Sequence, residues 1–269
     1  MKIIVFSKNR PWQLKEYLRT LHEYAYGTYD VSVIYNSDDE YKDRYEKLKE
    51  LSPTVSFYNE NCPADFCKQL FHLFLSSDAK HIMFGTDDVL WYNDFSLNIA
   101  EACLNNNPEC FGYSYRLHEN IKYCHPANQW NIIPPLRYSS GGYMYNTTNG
   151  SIDWAYPFEI GATVYRQTQI AHLIGHLQKF LGSNSISNPN RLEANMSTIV
   201  GQFKVNACYN KPVCSVITVN RVQNEYNNPV YPLKLDKDLN DLDFSTEYDC
   251  NWYKNQNFDR IHIGEVKLK

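Results

Sequence analysis

HIMFGTDDVLW, residues His81 to Trp91, opens as a short apolar run and breaks into a glycine, a threonine and two adjacent aspartates before a second apolar run begins. His81–Phe84 reads as a buried strand. Asp87 and Asp88 then stand at the strand's end, where like charges repel unless something cationic lies beside them. A hard divalent ion that shares its ligands with phosphate oxygens would relieve the repulsion, because Mg²⁺ and Mn²⁺ take one or two carboxylates plus substrate phosphates in preference to an all-protein cage. The plainer reading is a polar turn, or a cap on the next element. Taken alone the dipeptide reads as the turn, so its neighbours in the chain have to decide.

Upstream, Lys2–Phe6 is a β-branched run without alternation, as a central parallel strand covered on both faces requires. SKNRP follows, and Pro11 opens a helix with Trp12, Leu14, Tyr17, Leu18 and Leu21 on one face. Lys8, Arg10 and the loop amides would face a ligand at the carboxyl edge of the sheet, and the helix N-terminus adds partial positive charge there. An anion suits that place; the alternative is that Asn9 merely caps the helix while Lys8 and Arg10 are solvated. Val31–Tyr35 is the next strand, ending in NSDDEY and passing into a charged helix that stops near Leu51. Val55–Tyr58 precedes a helix over about Asp65–Ser77, with Phe66, Leu70, Phe71 and Phe74 as its buried stripe. The order β-α-β-α-β-α-β with short connections predicts right-handed crossovers and a parallel sheet, with every polar loop on one edge. In open α/β sheets that edge holds the ligand. No Gly-x-Gly-x-x-Gly follows the first strand and no Gly-Lys-Ser/Thr occurs, which disfavours a dinucleotide fingerprint and a P-loop.

Downstream, a helix over about Phe95–Asn105 and a strand at Cys110–Tyr115 are expected. The stretch from Arg116 to Gly150 is rich in Pro, Asn, Tyr and Gly and reads as long loops or a hairpin over the site. Phe158–Tyr165 reads as a strand, Thr168–Leu181 as a helix, and NSISNPNRLEANMSTIVGQF as a turn-rich segment that becomes a helix with Glu193 in its first turns. Beyond Tyr209 a strand near Val213–Val219 and a short one near Arg260–Ile263 are expected in an otherwise irregular tail. The division this gives is one domain over 1–208, with halves 1–91 and 92–208, and a C-terminal extension over 209–269 packing on it.

At 269 residues, 43% hydrophobic and 21% charged, the chain can bury a substantial core. Its aromatic content of 15% suits stacking on sugars or bases, and suits packing equally well. A net charge of −4 argues against nucleic acid as a partner. No segment has the length of a transmembrane span, and the apolar run near the start is too short for a signal-peptide core, so the expected location is the cytoplasm, at most peripheral at a membrane. The eight cysteines contain no Cys-x-x-Cys pair and read as free thiols. Cys110, His118, Cys124 and His125 match no zinc-finger spacing. Asn146, Asn149 and Asn195 each begin an Asn-x-Ser/Thr sequon, idle without a secretory route.

Together, IIVFSKNRP, YNSDD, TDD at 86 to 88, FEIGATVYR and the Glu193 helix resemble the nucleotide-sugar glycosyltransferases of the GT-A fold, especially the inverting family 2-like group. The likeness runs over roughly the first three quarters of the chain, carried by motif order and spacing more than by any one motif. It implies an α/β fold with a GT-A-like, Rossmann-type mixed sheet, mostly parallel, and helices on both faces. It implies transfer of a sugar from a UDP, GDP or dTDP type donor to a glycan or other hydroxyl acceptor, with Mn²⁺ or Mg²⁺ as cofactor. On this resemblance Asp88 is the metal ligand and Asp87 hydrogen-bonds ribose or donor sugar. Thr86 stands where the family has its first acidic residue, which leaves open whether one carboxylate or two hold the metal. Ser7, Asn9, Arg10, Asn36 and Ser37 fall where such proteins contact base, ribose and phosphates. His262, in IHIG, is a further candidate for metal or diphosphate, against the alternative of an ordinary satisfied histidine.

The chemistry needs these residue types whatever the family. Breaking the anomeric bond puts charge on the leaving diphosphate, which a divalent ion stabilises as a Lewis acid. The acceptor hydroxyl loses its proton as it attacks, so an inverting enzyme needs one general base on the far side of the sugar. Glu193 is the first candidate, and Asp153 the second because Trp154 beside it offers a stacking ring. Each has a plain alternative, Glu193 as a helix N-terminal charge and Asp153 as a turn residue. A nucleotidyltransferase, which usually opens with a Gly-rich loop that SKNRP lacks, a retaining transferase, and a catalytically silent binding protein of the same fold are the other readings.

Overall fold

A computed structural model describes residues 1–223 and 225–269. In chain order the elements are β1 (Lys2–Lys8), α1 (Pro11–Tyr24), β2 (Ala25–Tyr26), β3 (Asp30–Asn36), α2 (Lys42–Leu51), β4 (Ser56–Asn59), α3 (Pro63–Leu75), β5 (His81–Thr86), β6 (Val89–Trp91), β7 (Phe95–Ser96) and α4 (Leu97–Asn106). Next come β8 (Cys110–Ser114), β9 (Tyr123–Cys124), β10 (Gln129–Trp130), β11 (Arg137–Ser139), β12 (Gly142–Asn146), β13 (Thr163–Arg166), α5 (Gln167–Leu181), α6 (Pro189–Ile199), β14 (Val205–Tyr209), β15 (Cys214–Ile217), α7 (Cys250–Lys254) and β16 (His262–Ile263).

The main sheet has nine strands in the order β11-β12-β14-β8-β13-β5-β1-β3-β4. Over β4-β3-β1-β5 every pairing is parallel, as the β-α-β reading requires; β13 then enters antiparallel between β5 and β8 and makes the sheet mixed. The absence of alternation in β1 has its cause in two cores: Ile3 and Val5 pack on one face with α1, α2 and α4, and Ile4 and Phe6 on the other with α3, α5 and α6. The expected α/β fold with helices on both faces is the one observed.

From β1 the chain moves outward through β3 to β4, then returns to place β5 on the other side of β1. The loops after β1 and β5 therefore diverge at a topological switch point, the crevice in which open α/β sheets bind ligands. Gly85 in β5 is required by close packing: a Cβ there would stand 2.2 Å from the Tyr17 hydroxyl of α1, whose ring is fully buried against Trp91. Gly85→Ala should cost about 1–3 kcal/mol through overpacking, read as a lower urea midpoint at unchanged slope.

A second sheet, β16-β15-β6, grows directly from the aspartates. The Ile217 amide donates to Asp88 O at 2.8 Å, and Val216 pairs with both Val89 and His262, so the late strand carrying His262 is registered against the residue after Asp88.

Three stretches differ from the sequence expectation. Within Arg116–Gly150, β11 and β12 form a hairpin that extends the main sheet beside β14, and only the β9-β10 hairpin stays outside it. Phe158–Ala162 is not strand: the Glu159 amide donates to Tyr165 Oη, the Gly161 amide to Glu159 Oε2, and Ala162 sits at φ +70°, so side chains take the backbone groups a ladder would have used. In the tail, the short helix α7 forms behind Asp249, whose side chain accepts from the Trp252 amide.

Candidate functional site

Arg10 leaves β1 into the switch-point crevice and its guanidinium is buried. Nη1 donates to Asp87 Oδ1 at 2.9 Å and to Asp88 Oδ2 at 3.0 Å, while Nη2 donates to the Asn220 carbonyl of the C-terminal segment. The cation that reconciles the two aspartates is therefore an arginine of the chain itself. Asp87 takes its second contact from the Lys8 amide, 3.1 Å from Oδ2, so both of its oxygens are engaged. Burial pushes the Asp87 carboxyl up to about 6, with the Arg10 charge pulling the other way.

Asp88 differs in one respect: its Oδ1 is shielded from solvent and has no partner among the described residues. Asp88 lines a cavity of about 980 Å³ together with Thr86, Thr218 and His262. Burial, reinforced by the Arg116 charge, holds His262 down at about 4, so its imidazole is neutral near pH 7. Thr218 Oγ1 lies 3.3 Å from the Val216 carbonyl, to which it can donate, and 3.0 Å from His262 Nδ1; in the tautomer with its N–H on Nδ1 the ring donates to that hydroxyl and keeps the Nε2 lone pair for a ligand. Among the described residues no group of three or more His, Cys, Asp or Glu side chains could cage a metal. An unpartnered carboxylate oxygen and a neutral imidazole on one cavity do fit a divalent ion that takes its remaining ligands from a phosphate-bearing substrate.

The other residues expected from the sequence divide into those that line the cavity and those that do not. Ser7 and Asn36 line it, with Lys8. Ser7 Oγ is 2.6 Å from Tyr45 Oη, which also accepts from the Arg10 amide, so this pair fixes the loop after β1. Asn9 and Ser37 are not among the lining residues. Asn9, at φ +52°, holds Asp38 through a reciprocal pair of hydrogen bonds, and Ser37 Oγ donates to the Asp38 carbonyl.

Glu193 lies in α6 and is not among the residues lining the cavity; Ile160, which is, donates its amide to Glu193 Oε1 at 3.3 Å. Burial raises the Glu193 carboxyl; Arg116 and the Ile160 amide pull it down and Asp88 adds to the rise. Asp153 is held in a short helical turn by Asn131, which donates to Oδ2 at 2.9 Å. Trp154 is not a stacking ring: it is fully buried and its Nε1 donates to the Ile121 carbonyl. The exposed tryptophan nearest in the chain to this pair is Trp130, 69% exposed, adjacent to Asn131.

Two charged residues of this neighbourhood were not singled out from the sequence. Arg116, beyond the end of β8, is half-buried and its charge acts on Glu159, Glu193 and Asp153 together. Its Nε lies 2.9 Å from Glu159 Oε2, and burial pushes Glu159 up to about 8. Glu159 Oε1, Ser114 Oγ and Thr163 Oγ1 have no partner among the described residues, and all three residues border one cavity of about 20 Å³, room for a single bridging water. An acidic residue inside the apolar stretch PFEIGA was the available signal.

No family model matches the chain. It is 34% identical over 303 aligned positions, covering 99% of its own length, to the bifunctional glycosyltransferase pgtA of Dictyostelium discoideum. The chain is a homologue of a glycosyltransferase. It spans 39% of that relative's length. Solved structures with a likeness in fold include TarS of S. aureus, at 13% identity and TM-score 0.45 over 79% of this chain and 36% of that one. A mannosyltransferase of Pyrobaculum calidifontis, PcManGT, solved with GDP-Man and Mn²⁺, matches at 13% identity and TM-score 0.45 over 80% of this chain and 56% of its own. Among the described residues of the homologue, no helix is long and apolar enough to cross a membrane.

Proposed function

We propose that the chain transfers a sugar from a nucleoside diphosphate sugar to an acceptor hydroxyl, with inversion, using a divalent cation. The observation that carries this reading is the Asp88 carboxylate: one oxygen is tied to Arg10 at the switch point, the other is unpartnered, and His262 stands on the same cavity. Homology to a glycosyltransferase supports it over 99% of the chain.

In this reading Asp88 and His262 would hold Mn²⁺ or Mg²⁺, and the chemistry such an ion would supply there is Lewis-acid stabilisation of charge on a departing diphosphate. Arg10 fixes the Asp88 carboxylate in place and neutralises the charge it shares with Asp87. Lys8, exposed at the end of β1 and lining the cavity, supplies positive charge to the phosphates. Glu193 accepts the proton of the acceptor hydroxyl; Oε1 is occupied by the Ile160 amide, which leaves Oε2 for that proton. The Arg116 charge opposes the rise that burial imposes on the Glu193 carboxyl.

The test is a thermal-shift comparison of UDP, GDP, dTDP and CDP with and without Mn²⁺. One nucleotide should raise the melting temperature with metal present, in proportion to RT ln(1 + [L]/Kd), and Asp88→Asn should remove at least the metal-dependent part. Stabilisation that is equal with and without Mn²⁺, or that survives Asp88→Asn, counts against the metal assignment.

A further inference from the structure

We infer that Glu60 reads the nucleobase of the donor and selects guanine. This rests on the donor-site reading above and adds to it a residue and a base.

Glu60 follows the edge strand β4 and lines the large cavity with Asn36, Asn61, Cys62 and Pro63. Its backbone is locked on both sides: the amide donates to the Tyr35 carbonyl at 2.8 Å and its own carbonyl accepts from Asn36 Nδ2 at 3.3 Å. The next two amides, of Asn61 and Cys62, donate to Asp65 Oδ2 and bind the loop to the start of α3. The carboxylate, by contrast, is half-buried and has no hydrogen bond or ion pair among the described residues. A half-buried acceptor on a rigid loop, lining a cavity and without a donor among the described residues, is a group that a ligand can partner.

Its place in the sheet fits one part of that ligand. Asp88 follows β5 and Glu60 follows β4, three strand positions away in the order β5-β1-β3-β4. At roughly 4.8 Å per step the two loops stand roughly 14 Å apart across the sheet. A nucleoside diphosphate laid along that edge, with its diphosphate at Asp88, brings its base to Glu60.

The chemistry of a bare carboxylate then discriminates among bases. Guanine presents N1–H and its exocyclic amino group side by side, two parallel donors that match the two oxygens of a carboxylate. Uracil and thymine offer one N–H between two carbonyl oxygens, so the second carboxylate oxygen meets an acceptor. Cytosine and adenine set an amino donor beside a ring nitrogen acceptor. In those pairings the carboxylate keeps an unpaired, partly buried oxygen.

Burial also pushes Glu60 up to about 7, Asp65 adding to the rise and Lys8 opposing it. Only the ionised form accepts two donors, so guanine binding is coupled to loss of that proton.

Isothermal titration with GDP and with UDP, in the presence of Mn²⁺, tests this on the wild type and on Glu60→Gln. GDP should bind at least about tenfold tighter than UDP, and Glu60→Gln, which turns one oxygen into a donor, should weaken GDP more than about tenfold while leaving UDP within about twofold. The ratio of GDP to UDP affinity should fall about tenfold from pH 8 to pH 6 in the wild type and stay flat in Glu60→Gln, taking the ratio removing the titration of the phosphates. UDP binding as well as GDP in the wild type, or Glu60→Gln weakening both alike, overturns the base assignment while leaving the donor site standing. If neither nucleotide binds the wild type with metal, the donor-site reading fails first and the assignment falls with it.

Discussion

Glu193→Gln is expected to lower kcat for sugar transfer by about 10²–10⁴-fold, the usual worth of a positioned general base, while nucleotide affinity stays within about twofold. The substitution keeps the side chain's shape and the oxygen that accepts from the Ile160 amide, but an amide takes no proton from an attacking hydroxyl. Burial holds the Glu193 carboxyl above the ordinary range. A base must be ionised to act, so wild-type kcat/KM should rise with pH through that value and fall below it, whereas the residual activity of the Gln variant should lack this limb. Release of nucleotide against acceptor concentration gives kcat, and calorimetry gives donor affinity. Normal turnover removes Glu193 from the role, and so does loss of donor binding, which would make it part of the donor site. Asp153→Asn is the natural comparison, because Asp153 is already engaged by Asn131; a much larger loss there than in Glu193→Gln would exchange the two assignments.

How much of this was readable in the sequence depends on the range of the interactions. β1, β3 and β5 are continuous apolar runs, each ended by polar residues, and such runs have few interpretations beyond a buried parallel strand. TDD marked the right edge of the sheet because topology alone puts strand ends and loops together there. What the dipeptide could not show was its counter-ion: Arg10 is local to β1, and only the β1-β5 pairing brings it against Asp87. The cluster of Arg116, Glu159 and Glu193 comes from three elements with no shared period, so no local pattern announces it. Trp154 shows the same limit from the other direction: in a single turn of 3-10 helix no hydrophobic repeat says which side faces inward, and the ring taken for a surface proved to be core. Glu60 carried a weaker signal, a lone acid after a short strand, and its meaning depends on the cavity that the distant residues Asn220, Val222, Asn228 and Val230 help to line.

Arg10→Met should cost about 3–5 kcal/mol of stability near pH 7, the typical result of removing one partner from a buried ion pair. Asp87 is almost wholly enclosed and, among the described residues, keeps only the Lys8 amide as a donor to its side chain once the guanidinium is gone. Its response to pH has a definite sign. In the folded wild type Asp87 already titrates above the value near 3.9 of an unfolded chain, so this group favours the fold as pH falls and disfavours it as pH rises from about 4 through about 6. Without Arg10 the opposing pull disappears and the carboxyl moves higher still. The variant should therefore regain stability between pH 7 and pH 5 by taking up a proton, and the gap to the wild type should narrow. Urea unfolding at the two pH values measures that gap directly. A loss below about 1 kcal/mol at pH 7, or a gap that widens at pH 5, would mean that the guanidinium is not what holds Asp87 ionised. The same variant frees Asp88 Oδ2 from its tether, so metal-dependent nucleotide binding should weaken even at pH 5, where the fold has recovered. Loss of stability and loss of binding then separate: the first follows Asp87, buried and reached by protons, and the second follows Asp88, which loses its position.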